Sequence, residues 1–141
     1  IIKAQLEKYP EGLSMLRAAK VLFPICRSIT GEGIKKSYEI FIDKHKEFKK
    51  FSFYTGEKVF DWEIPKVWEI KDAYIQHENG KKFAEFSSNN LHIYNYSNPV
   101  NRFISKEELI KHIFTLPSQP TAIPYVTCYY DDEWGFCLDY N

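Results

Sequence analysis

Apolar positions in the first third of the chain recur at a helical interval. Met15, Leu16, Ala19, Leu22 and Phe23 fall on one face of a helix that starts near Pro10, which suits a first helical turn, and that Pro24 should stop. A second stripe, Ile34, Tyr38, Phe41 and Ile42, predicts a helix from about Gly31 to His45, whereas residues 1 to 9 show no clear pattern. Near Gly56 the period changes from helical to extended. Phe51 and Phe53 alternate with polar neighbours and predict a strand; Phe60, Trp62 and Ile64 fall on one face of an extended run that Pro65 ends. Val67 to Gln76, Lys82 to Phe86 and Asn90 to Tyr96 read as further strands. Asn79-Gly80 predicts a type I′ hairpin turn, because both residues tolerate positive φ. Ser105-Lys106-Glu107-Glu108 is a capping box, with Ile104 and Leu109 placed as a hydrophobic staple, and predicts a short helix to about Thr115. Tyr125 to Tyr130 and Trp134 to Leu138 read as two more strands around the turn Asp131-Asp132-Glu133.

The fold class expected from this pattern is α+β, with two N-terminal helices and a strand followed by a β-rich part that holds one short helix. The composition shift near Gly56 divides the chain into a helical lead of about 56 residues and a β-rich remainder. Two helices and one strand cannot close a core by themselves. The lead is therefore expected to pack on elements beyond Asn141 or on the β-rich part.

At 141 residues the chain is the size of one domain, able to bury roughly 68% of its unfolded surface. Nineteen basic residues balance nineteen acidic ones, which gives no electrostatic case for nucleic acid or an anionic membrane as a partner. No apolar run approaches the ~20 residues that span a bilayer, and no secretory signal opens the chain, so the expected location is the cytoplasm. Cys26, Cys128 and Cys137 are odd in number and lack Cys-x-x-Cys spacing. They read as buried thiols rather than a disulfide framework or zinc knuckle, although a bridge from Cys128 to Cys137 is open in principle. Aromatic residues make up 17% of the chain and crowd into its second half, where they could form core or stack a sugar or peptide.

The stretch with the most chemistry is Leu22 to Gly33, a break between two helices that carries an arginine, two hydroxyls and two glycines. It delivers Arg27 beside a helix N-terminus, where unpaired N–H groups and the dipole favour an anion. The alternative is that Arg27 pairs with a carboxylate of the fold and Thr30 caps the second helix. His45, His77, His92 and His112 never stand three to five residues apart, so no helix presents a zinc pair, and His92 reads as a hydrogen-bonded sheet residue. No serine elbow, dinucleotide fingerprint or phosphate loop occurs. Cys26 beside Arg27 meets half the description of an activated thiol, with no histidine close in sequence. Asp131-Asp132-Glu133 could hold a hard cation or stand solvated.

The runs Leu22-Phe23-Pro24-Ile25-Cys26-Arg27-Ser28-Ile29-Thr30-Gly31, Val59-Phe60-Asp61-Trp62, Asp72-Ala73-Tyr74-Ile75, Asn95-Tyr96-Ser97, Ile123-Pro124-Tyr125-Val126-Thr127 and Trp134-Gly135-Phe136-Cys137-Leu138 carry a resemblance. From about Gly12 onward the chain resembles the N-terminal part of a bacterial aminopeptidase-like family, commonly labelled polysaccharide-biosynthesis proteins with an aminopeptidase-like domain. The resemblance implies a zinc-dependent aminopeptidase-type hydrolase whose α/β domain is interrupted by a β-rich insertion, with residues 1–57 starting the peptidase domain and 58–141 in the insertion. The family's metal ligands come later, in a Cys-His-Pro motif and an Asn-Asp pair that this chain lacks. The resemblance therefore implies no catalytic residue, metal ligand or cofactor in this segment, with zinc expected in the full-length parent. The partners it implies are the rest of the parent domain and a peptide, aminoacyl or glycan substrate. Arg27 and Thr30 are expected to shape the substrate entrance and Trp62 or Trp134 to wall it. The competing expectation is a non-catalytic peptide- or glycan-binding module, which the aromatic density motivates.

Overall fold

A computed structural model describes residues 9–141; the patternless run before Tyr9 lies outside the described residues. Internal packing divides the chain at Lys49–Lys50 into two compact units.

The first unit holds helices α1 (Pro10–Leu22) and α2 (Glu32–Lys44). Pro10 occupies the first turn of α1, where its missing N–H costs nothing; Glu11 stands near the positive end of the dipole and Lys20 near the negative end. Phe23 keeps helical backbone angles and its N–H still reaches the Ala19 carbonyl, so the helix is halted by Pro24 itself, which has no N–H to continue the ladder. α2 is entered through Gly31, whose φ of 88° is open to glycine and strained for other residues. Gly31, rather than Thr30, is the N-cap, and it offers no side chain to the helix. At the other end the Phe41 ring stacks on His45 at 4.7 Å and meets Phe48 edge-on at 5.2 Å. α1 buries no residue, and α2 buries Ser37, whose hydroxyl donates to the Gly33 carbonyl at 2.9 Å.

The second unit is built from paired segments far shorter than the sequence pattern suggests. β1 (Lys58–Val59) and β2 (Trp62–Glu63) form an antiparallel hairpin with Val59 opposite Trp62. The expected straight run from Phe60 to Ile64 therefore reverses at Phe60-Asp61, and Phe60 takes a φ of 59°. β3 (Ile75–Gln76) and β4 (Lys82–Phe83) form the hairpin that Asn79-Gly80 announced, with a different turn. His77 N–H bonds to Lys81 O at 2.9 Å and Gly80 N–H to His77 O at 2.8 Å, and Gly80 alone in the turn has positive φ, 87°. This is a three-residue loop that ends on a left-handed glycine, and the Asn79 side chain steadies it by accepting from Lys81 N–H at 3.0 Å.

Four rows make the centre of this unit. β5 (Ile113–Phe114) runs parallel to β6 (Phe136–Cys137); Ile93 bridges antiparallel to Phe136, and Asn95 bridges parallel to Thr127. Residues 93–95 thus lie between the segments around Thr127 and Phe136, which do not form the expected hairpin with each other. Three further expectations change. Phe51 and Phe53 lie outside any strand, because no neighbouring segment pairs with them. Asn90–His92 is a short 3-10 turn, capped by the Asn89 side chain, which accepts from Leu91 N–H at 3.0 Å. α3 (Lys106–Lys111) ends four residues before Thr115, since His112 leaves the helix and Ile113 enters β5. Ser105 caps α3 as expected by accepting from Glu108 N–H at 3.2 Å, while the Glu108 carboxylate pairs with Arg102.

The buried apolar side chains of the described residues, Pro65, Ala84, Ile93, Tyr96, Cys128 and Cys137, all belong to this second unit. Tyr96 anchors them: its ring stacks on Trp68 at 5.5 Å and receives Tyr129 edge-on at 4.9 Å, while the Trp68 indole N–H donates to Ser97 O at 3.0 Å. Gly135 is required at its position, because a Cβ there would stand 2.6 Å from the Phe114 ring and 2.7 Å from the His112 carbonyl. Phe60, Ala84 and Tyr96 are the described non-glycine residues with left-handed backbone, a conformation that costs about 1–2 kcal/mol each.

Candidate functional site

The loop between α1 and α2 folds tightly onto the start of α2. A Cβ on Gly33 would fall 1.7 Å from the Cys26 carbonyl oxygen, so the path of Cys26-Arg27-Ser28 across the first turn depends on glycine. That path turns Arg27 into solvent, and no ion pair joins it to a carboxylate among the described residues. The internal carboxylate partner that the sequence left open is thus not found among the described residues. Thr30 is half-buried just before the cap. Ser28 is buried, and its hydroxyl has no hydrogen-bond partner among the described residues.

Burial pushes the Cys26 thiol above its ordinary range, which lowers the population of the nucleophilic thiolate. Cys128 is raised chiefly by burial as well, and Cys137 is pushed up to about 11 by burial. All three cysteines are free. In each the first cause is burial, which opposes the thiolate that a catalytic cysteine needs, and the bridge from Cys128 to Cys137 is not formed.

Trp62 and Trp134 belong to the second unit, and no ring contact joins them. Trp62 sits on β2 with its ring partly exposed. Trp134 stacks on His112 with ring centroids 3.8 Å apart. The His112 Nδ1 lies 3.0 Å from the Trp134 carbonyl and the His92 Nδ1 lies 2.9 Å from the Cys137 carbonyl. A carbonyl can only accept, so each neutral ring carries its proton on Nδ1 and keeps the lone pair on Nε2. His92 is thus hydrogen-bonded as expected, from a 3-10 turn rather than a strand. The pairing of His112 with Trp134 had no local sequence signal, since 22 residues separate the two.

Around this knot the surface is aromatic. The Tyr125 and Tyr129 hydroxyls stand 3.4 Å apart, and Tyr130 donates to the Glu63 carbonyl at 2.8 Å, which ties the β1–β2 hairpin to the segment before Asp131. Asp131, Asp132 and Glu133 are exposed. Among the described residues no group of three or more histidine, cysteine, aspartate or glutamate side chains could hold a metal ion. No helix of the described residues is long and apolar enough to cross a membrane.

Comparison with known proteins agrees with the motif resemblance. A Clostridium acetobutylicum protein named "Putative polysaccharide biosynthesis protein with aminopeptidase-like domain" is 47% identical over 120 residues, which cover 85% of this chain and 27% of that protein. The crystal structure of a "putative peptidase" from Clostridium acetobutylicum superposes with a TM-score of 0.87 at 41% identity, over 97% of this chain and 33% of that one. The chain thus spans about a third or less of the length of these relatives. The family described as "Domain of unknown function (DUF2172)" matches residues 67–141, more than half of the chain, and the chain belongs to it.

Proposed function

We propose that this chain is the N-terminal, non-catalytic segment of a metallo-aminopeptidase-like hydrolase, in which the remaining polypeptide supplies the metal site and this segment shapes the approach to it. The observation that supports the reading most is the superposition on one third of a peptidase chain at 41% identity. Among the described residues no group of three potential ligands comes together, so on this reading the zinc ligands come from the longer polypeptide. Attack on the amide by a metal-activated water belongs on this reading to the longer polypeptide. The apolar residues that α1 and α2 leave exposed, Met15, Val21 and Phe23 among them, then find their cover on that same polypeptide.

Within this reading Arg27 binds an anionic group of the substrate at the entrance. It is exposed, makes no ion pair among the described residues, and is held at the start of α2 by the close approach of Cys26 to Gly33. Thr30 belongs to the same loop, while on the second unit Trp62 offers a partly exposed ring and Trp134, one face of which stacks on His112, stands half-buried.

The test is made on the full-length protein, by metal analysis after dialysis and by release of free amino acids from a panel of aminoacyl substrates. Stoichiometric zinc with chelator-sensitive release is the expected result, and Arg27→Ala is expected to raise KM about tenfold with kcat little changed. A full-length protein that holds no metal and releases nothing from the panel would overturn the reading in favour of a peptide- or glycan-binding module. An unchanged KM in Arg27→Ala would remove that residue from the entrance.

A further inference from the structure

Three residues of the second unit take a backbone conformation that side chains disfavour, and two of them are compensated where they stand. Ala84 is 9% exposed and Tyr96 is 7% exposed, with the Tyr96 ring held between Trp68 and Tyr129. Phe60 is the exception. It has a φ of 59°, it is 99% exposed, and its ring touches no other ring among the described residues. A phenylalanine is a poor choice for this corner on every local count. Glycine is the residue that fits the first position of a two-residue hairpin turn with positive φ, and a polar side chain would suit full exposure.

The hairpin that presents Phe60 is nevertheless firmly built. Gly56 N–H bonds to Ile64 O at 2.9 Å, Ile64 N–H bonds to Glu57 O at 2.9 Å, and the Tyr130 hydroxyl clamps Glu63 from the side. The chain thus holds a large apolar ring on a fixed arm, in a strained conformation that nothing among the described residues rewards. A strained residue that persists without local compensation points to a contact outside the described structure.

We infer that the β1–β2 hairpin is a docking arm whose Phe60 ring seats in an apolar pocket of the peptidase portion that the longer relatives carry. The choice of occupant rests on the proposed function and on chain length, since the matched peptidase has about two thirds of its polypeptide outside the region this chain covers. Docking through the arm fixes the β-rich unit, and with it Trp62 and Trp134, against the peptidase portion.

Two variants of the full-length protein test this. With Phe60→Cys, maleimide labelling read by peptide mass is expected to be at least tenfold slower than in Asn79→Cys, on the tip of the other hairpin. Equal rates would overturn the inference, as would protection that disappears on dilution, which would assign the contact to a second copy. Phe60→Gly separates docking from local structure, because glycine relieves the positive φ while removing the ring. The expected result is a lower unfolding midpoint by several degrees; an unchanged or raised midpoint would overturn the inference. Neither readout uses hydrolysis or zinc, so a protein that shields position 60 but cleaves nothing would keep the docking arm and reject the peptidase reading alone.

Discussion

In the unit that ends at Lys49, the two described helices, of thirteen residues each, bury nothing larger than Ser37. The unit that begins at Lys50 has no strand longer than two residues, yet it sinks Ile93, Tyr96, Cys128 and Cys137 into a common interior. Regular secondary structure and self-sufficiency have thus parted company in one polypeptide. A helix satisfies its own backbone and can be specified by a local repeat, while the free energy that keeps it in place comes from covering its apolar face. The second unit gains that cover from segments distant in sequence, whose backbone groups are satisfied one bridge at a time. Its irregular outline accompanies the better-filled interior.

The contrast is most open to attack at Tyr96. Truncation to alanine removes a buried ring and its contacts with Trp68 and Tyr129, and is expected to cost about 4 kcal/mol in urea unfolding monitored by tryptophan fluorescence. A loss below about 1 kcal/mol would mean that the second unit has no organised interior. A smaller effect is expected from alkali. The folded state holds the Cys137 thiol protonated up to about pH 11, whereas the unfolded thiol releases its proton near its ordinary value of 9.0. Stability from this group is therefore complete below about pH 9 and falls as the pH rises toward 11, because the unfolded state binds fewer protons across that window. Urea midpoints at pH 8 and pH 10.5 should show the decline, and Cys137→Ala should flatten it. The smallest effect belongs to the first unit. Met15→Ser on α1, at a side chain that is 72% exposed, is expected to change the stability of these 141 residues by less than about 0.5 kcal/mol. A loss of 2 kcal/mol or more would show that α1 has a buried face after all and would erase the contrast.

The same difference decides what the sequence could reveal. Both helices were legible to within a residue or two, because Pro10, Pro24 and Gly31 punctuate a repeat that needs no knowledge of the partner. The strands were not. Asn90 to Tyr96 has the β-branched and aromatic content of a strand, but the Asn89 side chain caps a 3-10 turn at its start and Tyr96 leaves the extended region at its end, so only Ile93 and Asn95 pair. Phe60, Trp62 and Ile64 keep an alternating spacing that one strained turn residue overrides. Of the candidate site, the exposed arginine loop was visible as a break between two stripes. The Trp134–His112 stack was not, since it is a meeting of distant segments without a motif of its own.

The position of β6 has a consequence for the order in which this unit can be completed. The row that lies between β5 and Ile93 is contributed by Phe136 and Cys137, which leave the ribosome after both of their neighbours. Until they emerge, the nascent chain carries two unpaired edges where the middle row belongs, and such edges invite pairing with other chains. Synthesis that stalls between Phe114 and Phe136 should therefore yield aggregating species, while release only a few residues later should yield a closed one.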